Sequence, residues 1–593
     1  MGAGPSPGVQ QPAMLLQLGL LEAQKGRLDE AAALFARAGA ADAANPAPAY
    51  NLGLVRQQQG RHVEALAAFD LVLRLSPHAA AAHHARGLAL KNLQRLDEAL
   101  AAYDAALALQ PNFAAALNNR AAALLRLRRF DDAIASYRSA LAASPRHVGI
   151  WANLGAALHV ASRHEEAFAA FMRAREFGDG SAVTLMNAGV ALNAQHHYSR
   201  ALPLLQQALR QAPDDLDVRL NLGNALAGLN RWIDARAQFE AVLRQRPDDG
   251  DAALNLANSL RDSGEREAEV QLALPWYERA LEGGANPATV RWNRALCLLS
   301  LGDFKAGWRD YEERLNATAL NNPVREPGAQ RWRGEPVAGA TVLLYAEQGL
   351  GDTLQFCRYA QLVAARGARV VLEVQSPLKA LLQGLEGVDQ VIAPGDPLPH
   401  IDWHCPLMSL PYLLETSRHN IPGSVPYLVA DPALVTRWKG MLSGRGRPQV
   451  GVAWSGNADN WNDHRRSIPF DTFRAALPPG IDYWSLQKDT PSGSGPGELV
   501  RCFDETTFTH TAAQIIALDL VVTVDTSICH LAGALGRPVW ILLPQPADMR
   551  WMLEREDTPW YPSARLLRQQ GGGGWPPVLE RLARHLEGLV TTP

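Results

Sequence analysis

A small residue recurs every 34 positions through the first half of the chain, at Gly19, Gly53, Gly87, Ala121, Gly155, Gly189, Gly223 and Ala257. A fixed period of this kind marks a repeat architecture, in which each unit buries its apolar face only against its neighbours. Twelve residues after each small position stands an alanine, at Ala31, Ala65, Ala99, Ala133, Ala167, Ala201 and Ala235, often behind an acidic residue. Two helices per repeat are predicted to meet at these small side chains. Pro77, Pro111, Pro145, Pro213 and Pro247 fall on the same lattice, where one helix must stop and the next unit begin. Stacked units predict an elongated superhelix with a concave groove, a binding surface by geometry. A ninth unit around Trp292–Ala295 arrives after 38 residues because RDSGEREAEVQ lengthens the turn inside the eighth, which implies a small bulge or a longer helix.

Two residues before the small position lies an asparagine in seven units: Asn51, Asn119, Asn153, Asn187, Asn221, Asn255 and Asn293. Asparagine is a mediocre helix former, and its amide can donate to and accept from a peptide backbone without reading its sequence. The alternative is that these amides are solvated or cap neighbouring helix ends. The whole pattern, over residues 12–315, resembles the tetratricopeptide repeat. The asparagines resemble the ladder in the superhelix of the O-GlcNAc transferases, and that resemblance implies a protein acceptor held in extended form.

At 593 residues the chain exceeds one hydrophobic core. Its 57 basic and 60 acidic residues leave a formal charge of −3, so no global field draws it to nucleic acid or to an anionic membrane. Five scattered cysteines without a C-x-x-C pair suggest reduced thiols and a cytoplasmic setting. His400 and His404 beside Cys405 have a spacing a metal could use, but nothing nearby completes a ligand set. The opening MGAGPSPGVQ lacks the pattern of a secretory signal, and no run of eighteen apolar residues occurs, so a soluble chain without a membrane span is expected. Met1-Gly2 with Ser6 formally matches an acylation pattern short enough to arise by chance.

After Arg314 the period stops. Residues 316–337 read as a Pro/Gly-rich linker, 338–430 as one Rossmann-like lobe and 431–593 as a second. The first lobe opens with the strand TVLLY, the loop AEQGLGDT and a helix from Leu354, followed by the strands ARVVLEV and DQVI. The second opens with QVGVAW running into Ser455-Gly456-Asn457, then IDYWSL, then LDLVVTV leading into Asp525-Thr526-Ser527 and the strand VWILL. Gly351-Asp352 and the run D-T-S-x-x-H-L-A-G-A-L-G-x-P resemble glycosyltransferase family 9, which includes the lipopolysaccharide heptosyltransferases and has a metal-independent GT-B fold. The tandem of repeats and this half is similar to bacterial TPR-glycosyltransferases, including flagellin glycosyltransferases.

The resemblance implies a nucleotide sugar as co-substrate on the side of lobe 431–593, the acceptor on the side of lobe 338–430 and no metal or other cofactor, and no D-x-D pair lies at a strand end in the cleft region. Sugar transfer needs a base at the acceptor hydroxyl and groups that neutralise the leaving phosphates. The family's glycine-aspartate motif makes Asp352 the base, with an ordinary helix cap as the alternative. Gly349, Gly351 and Thr353 of the same loop, and Ser455 of the second, are assigned to the donor. Thr526 and Ser527 open a helix whose free N–H groups favour anions. Asp525 fixes that loop, and His530 either matches the family's histidine or packs against it. Arg466, preferred to Arg465, corresponds to the family's phosphate-binding basic residue. Gln487 and Lys488 follow a strand and point by topology toward the nucleotide. The expected function is transfer of a sugar to Ser or Thr of a protein in the repeat groove. Transfer to a glycolipid or saccharide, and a pure scaffold with an inactive transferase half, are the alternatives.

Overall fold

The structure is a computed structural model that describes residues 11–317, 328–422, 425–443, 446–457, 463–488 and 499–591. The acylation pattern at the N-terminus, most of the expected linker and Asn462 lie outside these residues. The chain divides into two compact units, residues 1–229 and 230–593.

In the first unit the described residues form thirteen helices of 12–14 residues, from Pro12–Gln24 to Leu216–Gly228. The lattice explains their pairing. A Cβ added to Gly19 would lie 2.5 Å from Phe35, to Gly53 2.5 Å from Phe69, to Gly87 2.6 Å from Tyr103 and to Gly155 2.7 Å from Phe171. Each glycine therefore makes the hole for a ring sixteen residues on, in the second helix of its own repeat. The alanines twelve residues on are fully buried at Ala31, Ala65, Ala99, Ala133, Ala167 and Ala201. A further period lies in the turns. Gly26, Gly60, Gln94, Arg128, Ser162 and His196, again 34 apart, all take positive φ. Only the first two are glycines, which is why the sequence hides this lattice point.

The second unit continues the array with helices Trp232–Gln245, Gly250–Ser263, Leu274–Glu282, Pro287–Ser300 and Phe304–Tyr311. The lengthened eighth repeat holds neither a bulge nor a longer helix. Its extra residues form a separate short helix, Glu267–Gln271. Gly264 permits the fold-back, since a Cβ there would lie 2.6 Å from Val270 Cγ2.

Eleven strands follow among the described residues: β1 (Gln330–Arg331), β2 (Thr341–Tyr345), β3 (Arg369–Glu373), β4 (Gln390–Ile392), β5 (Trp403–Pro406), β6 (Gln449–Ala453), β7 (Asp482–Ser485), β8 (Val500–Cys502), β9 (Leu520–Val524), β10 (Val539–Leu543) and β11 (Ala564–Arg568). They build two parallel sheets, ordered β1-β5-β2-β3-β4 and β11-β10-β9-β6-β7-β8. Central strands such as β6 and β9 are buried along their length, as expected of parallel sheets covered on both faces. β1 lies inside the expected linker and pairs with β5.

One apolar cluster runs from Ala295, Leu299, Phe304 and Trp308 of the last repeat through the first sheet to Ile541 and Leu566 of the second. Trp308 packs edge-on against both Phe356 and Trp560. The last repeats thus share a core with the sheets, and the compact units divide at residue 229 within the array.

Gly53→Val should lower the stability of the first unit by about 1–3 kcal/mol through overpacking against Phe69, despite valine's better helix propensity. Urea denaturation checks this, and an unchanged midpoint would show that the ring has room to move.

Candidate functional site

In a parallel sheet the loops after the strands' carboxyl ends gather on one edge, where ligands bind. Three such loops meet here. After β2, residues 346–349 lead into helix Leu350–Phe356; after β9, Asp525-Thr526 lead into helix Ser527–Ala534; after β10, residues 544–554 carry Asp548, Arg550 and Trp551. The two short helices touch. A Cβ on Gly351 would lie 2.7 Å from His530 Cδ2 and 3.6 Å from Ser527 Cα, so only glycine lets them approach this closely.

Asp352 accepts from the Gly349 N–H through Oδ2 at 2.9 Å and from Arg550 Nη2 through Oδ1 at 2.7 Å. Arg550, itself buried, also donates to Asp548 Oδ1 at 2.7 Å, Gln355 Oε1 at 2.9 Å and His530 Nε2 at 3.2 Å. A guanidinium only donates, so His530 Nε2 must accept, and the ring's proton sits on Nδ1, which donates to the Tyr561 hydroxyl at 2.9 Å. Burial, helped by the nearby Arg550 charge, holds His530 well below the usual imidazole range, hence neutral. Its ring stacks on Trp551 with centroids 5.6 Å apart.

Trp551 Nε1 donates to Asp525 Oδ2 at 2.9 Å. Burial, with repulsion from Asp548, pushes the Asp525 carboxyl up to about 6 against the pull of Arg550 and Arg466. Arg466 donates to the Asp525 carbonyl at 3.1 Å and to Asp463 at 3.0 Å. Met552, two residues after Arg550, has φ 55 and ψ −163, a region almost reserved for glycine, and Glu554 has φ 50. Such conformations cost about 1–3 kcal/mol each and persist only where the surroundings enforce them. Arg568 does so in part, donating to the carbonyls of Trp551 and Arg555.

The expected site residues divide into three groups. Gly351, Asp352, Arg466, Asp525, Ser527 and His530 come together. His530 is 2% exposed and underlies Arg550, so it is a support and does not line the cleft. Thr526 precedes the helix without capping it through its side chain. Thr353 is buried and donates to Gln375 Oε1 at 2.9 Å, so its hydroxyl is held inward. The Gln487 amide is used on the backbone of Ser455, at 3.2 and 3.0 Å. Gly349 and Lys488 are exposed.

The asparagines do not behave as one set. Asn51 and Asn221, in the first unit, donate to carbonyls four residues back. Asn119 pairs with His84 and Asn153 with Asn118, both from the preceding repeat. In the second unit Asn293 is buried, bonds to Thr289 O and accepts from Arg261 at 3.1 Å. The Asn187 and Asn255 side chains are half-buried.

Asp525, Cys529 and His530 bring metal-type atoms within 4.8 Å of one another. The chemistry does not suit an ion, because Arg550 already donates to His530 Nε2 and burial holds the Cys529 thiol far above its usual range. The His400, His404 and Cys405 side chains have separate surroundings: His400 faces Asp402, His404 stacks on Tyr345 with its Nδ1 buried and without a hydrogen bond, and Cys405 bonds to the Pro406 carbonyl. Asp548, Arg550, Trp551, Tyr561 and Gln355 escaped the sequence reading. The available signal was position: PQPADMRW directly follows β10 at the edge where ligands bind.

Comparison with known proteins bears on the helical part. Residues 16–80, 50–113, 84–145 and 118–182 match one tetratricopeptide repeat family and residues 192–260 another. The array is built of tetratricopeptide repeats. Such repeats suggest a role in binding a protein partner. Protein FlbA of Caulobacter vibrioides is 28% identical over 362 residues, covering 55% of this chain and 60% of that protein. A solved structure of pilF from Pseudomonas aeruginosa is 18% identical at a TM-score of 0.32, over 35% of this chain and 95% of its own. A tetratricopeptide repeat protein from Parabacteroides merdae is 16% identical at a TM-score of 0.35, over 43% and 98%. Neither structural likeness bears on activity. No helix among the described residues is long and apolar enough to cross a membrane.

With its pKa raised in the folded state, Asp525 keeps a proton that the unfolded chain releases at lower pH. The stability this gives is present in acid and lost as pH rises toward about 6. Asp525→Asn mimics the protonated form and can still accept from Trp551. It should therefore gain on the parent as pH rises through that window and then level off, as read by urea denaturation at a series of pH values. A constant difference would mean that Asp525 titrates normally.

Proposed function

We propose that the chain is a glycosyltransferase that moves a sugar from a nucleotide-sugar donor to a Ser or Thr hydroxyl of a protein bound by the repeats. The observation that carries this reading is the meeting of Gly351-Asp352 with the Asp525–His530 turn, each at the carboxyl ends of its own parallel sheet. These are the two stretches that resemble glycosyltransferase family 9.

In this reading Asp352 takes the proton of the acceptor hydroxyl as its oxygen attacks the sugar's anomeric carbon. The bond from that carbon to the phosphate oxygen breaks, and its electron pair leaves on the nucleotide diphosphate. Arg466 and the first-turn N–H groups of the helix at Ser527 meet that charge. Arg550 touches no reacting atom; its hydrogen bond to Oδ1 keeps Asp352 aimed. Five unpaired cysteines fit a cytoplasmic setting. A scaffold without turnover is favoured by one observation: both Asp352 oxygens are already hydrogen-bonded, to Gly349 and Arg550.

The deciding experiment incubates the protein with a panel of nucleotide sugars and with proteins captured on its repeats, and follows intact acceptor mass. A saccharide-only product would move the acceptor to that class, and no donor binding at all would favour the scaffold. Asp352→Asn should keep donor binding and lose transfer by about 10²–10⁴-fold; Arg550 retains Asp548 as its ion-pair partner, so the fold should persist. Arg466→Ala should weaken donor binding by about 1.5–3 kcal/mol, the worth of a hydrogen bond to a charged group. Calorimetry reads this, and unchanged affinity would remove Arg466 from the phosphate site.

A further inference from the structure

The irregular eighth repeat departs from the period by four residues, and those residues have partners. Gln545 Nε2 donates to the Gly264 carbonyl at 2.8 Å. The Gly571 N–H donates to Glu265 Oε1 at 2.6 Å, and the Glu267 N–H donates to Glu554 Oε2 at 2.9 Å. Gln545 and Glu554 are the two ends of the loop that carries Asp548, Arg550 and Trp551. The extra turn of the repeat thus grips that loop at both ends.

The loop needs holding. Met552 and Glu554 lie in left-handed conformations that neither side chain favours, and Glu554 is one of the residues pinned by the insert. If the loop relaxed, Arg550 would leave Asp352, Gln355 and His530 together, since all three contacts run through one guanidinium. A matching grip lies on the facing loop. Arg314, fully buried at the end of the array, donates to Glu347 at 2.6 Å, and Tyr311 accepts from Gln348 at 3.3 Å. Glu347 and Gln348 directly precede Gly349, whose N–H bonds to Asp352.

We propose that the insert in the eighth repeat is a positioning element for the cleft, which holds the loop 544–554 directly through Gln545 and Glu554, and through Gly571 holds the segment whose Gln569 accepts from the Gln545 N–H, so that Arg550 can bridge Asp352 and His530. The last repeats then act on the site as a frame, and a partner seated on them acts on the site through this contact. The positioning role rests on the geometry; its effect on turnover rests on the transferase reading.

The test compares two double variants of the full chain, Glu265→Ala/Glu554→Ala and Glu265→Gln/Glu554→Gln. Glutamine keeps an acceptor oxygen at both positions and alanine keeps none. Neither residue belongs to the donor or acceptor machinery, and Glu554 is exposed. Hydrogen exchange is the first readout. Amides of residues 547–554 should exchange about tenfold faster or more in the alanine pair and at the parent's rate in the glutamine pair, while helices 232–263 and both sheets stay unchanged. Unaltered exchange in the loop would overturn the proposal, and so would an even increase across the unit, which marks a merely structural contact. With a nucleotide sugar found to be turned over, kcat should fall in the alanine pair with KM for the donor unchanged. Absence of turnover in the parent would count against the transferase reading alone, because the exchange result decides the frame without it.

Discussion

The second unit depends on where one buried guanidinium finds its acceptors. Arg550 draws them from three elements: Asp352 and Gln355 on the helix after β2, His530 on the helix after β9, and Asp548 on its own loop. Removing a charge from water costs several kcal/mol unless its partners are in place, so the two sheets are held to the one arrangement that supplies them all. Gly351 is the steric counterpart of that electrostatic demand, since any side chain there would separate the helices before the acceptors could converge. The protonation pattern follows: because Arg550 can only donate, His530 has one tautomer, and Tyr561 and Trp551 are placed accordingly.

The repeats were legible because their physics is local. A glycine and the ring that fills its hole lie sixteen residues apart in one hairpin of helices, and the period exposes both. The strands of the sheet centres were legible for a similar reason, as β2, β3, β6, β9 and β10 are apolar runs bounded by turn residues. β1, β5, β8 and β11 were not. WHCP and VRC are short and mixed, and they become strands only because a neighbour offers a parallel edge. Of the site, Gly351-Asp352 and Asp525–His530 were read from resemblance. Arg550 was invisible because nothing in PQPADMRW carries a motif, and its importance comes from Asp352, Gln355 and His530, which the fold brings from elsewhere.

The asparagines mark the limit of reasoning from period alone. Recurrence placed them at one lattice point, yet Asn51 bonds back to its own helix, Asn153 reaches the preceding repeat and Asn293 is held by Arg261. Identical spacing fixes where a side chain starts, while its partner depends on the neighbouring repeat, which the period does not constrain.

The self-contained fit of each glycine to its own repeat has a consequence for how such a chain can change. A unit whose hole and filler both lie within it can be gained or lost whole, without a matching change in any other unit. The early repeats meet that condition. The eighth and ninth do not, because they share contacts and a core with the sheets. The length of the array is therefore free to drift at its beginning and fixed at its end, so the surface the repeats offer can be altered while the sheets and their loops stay untouched.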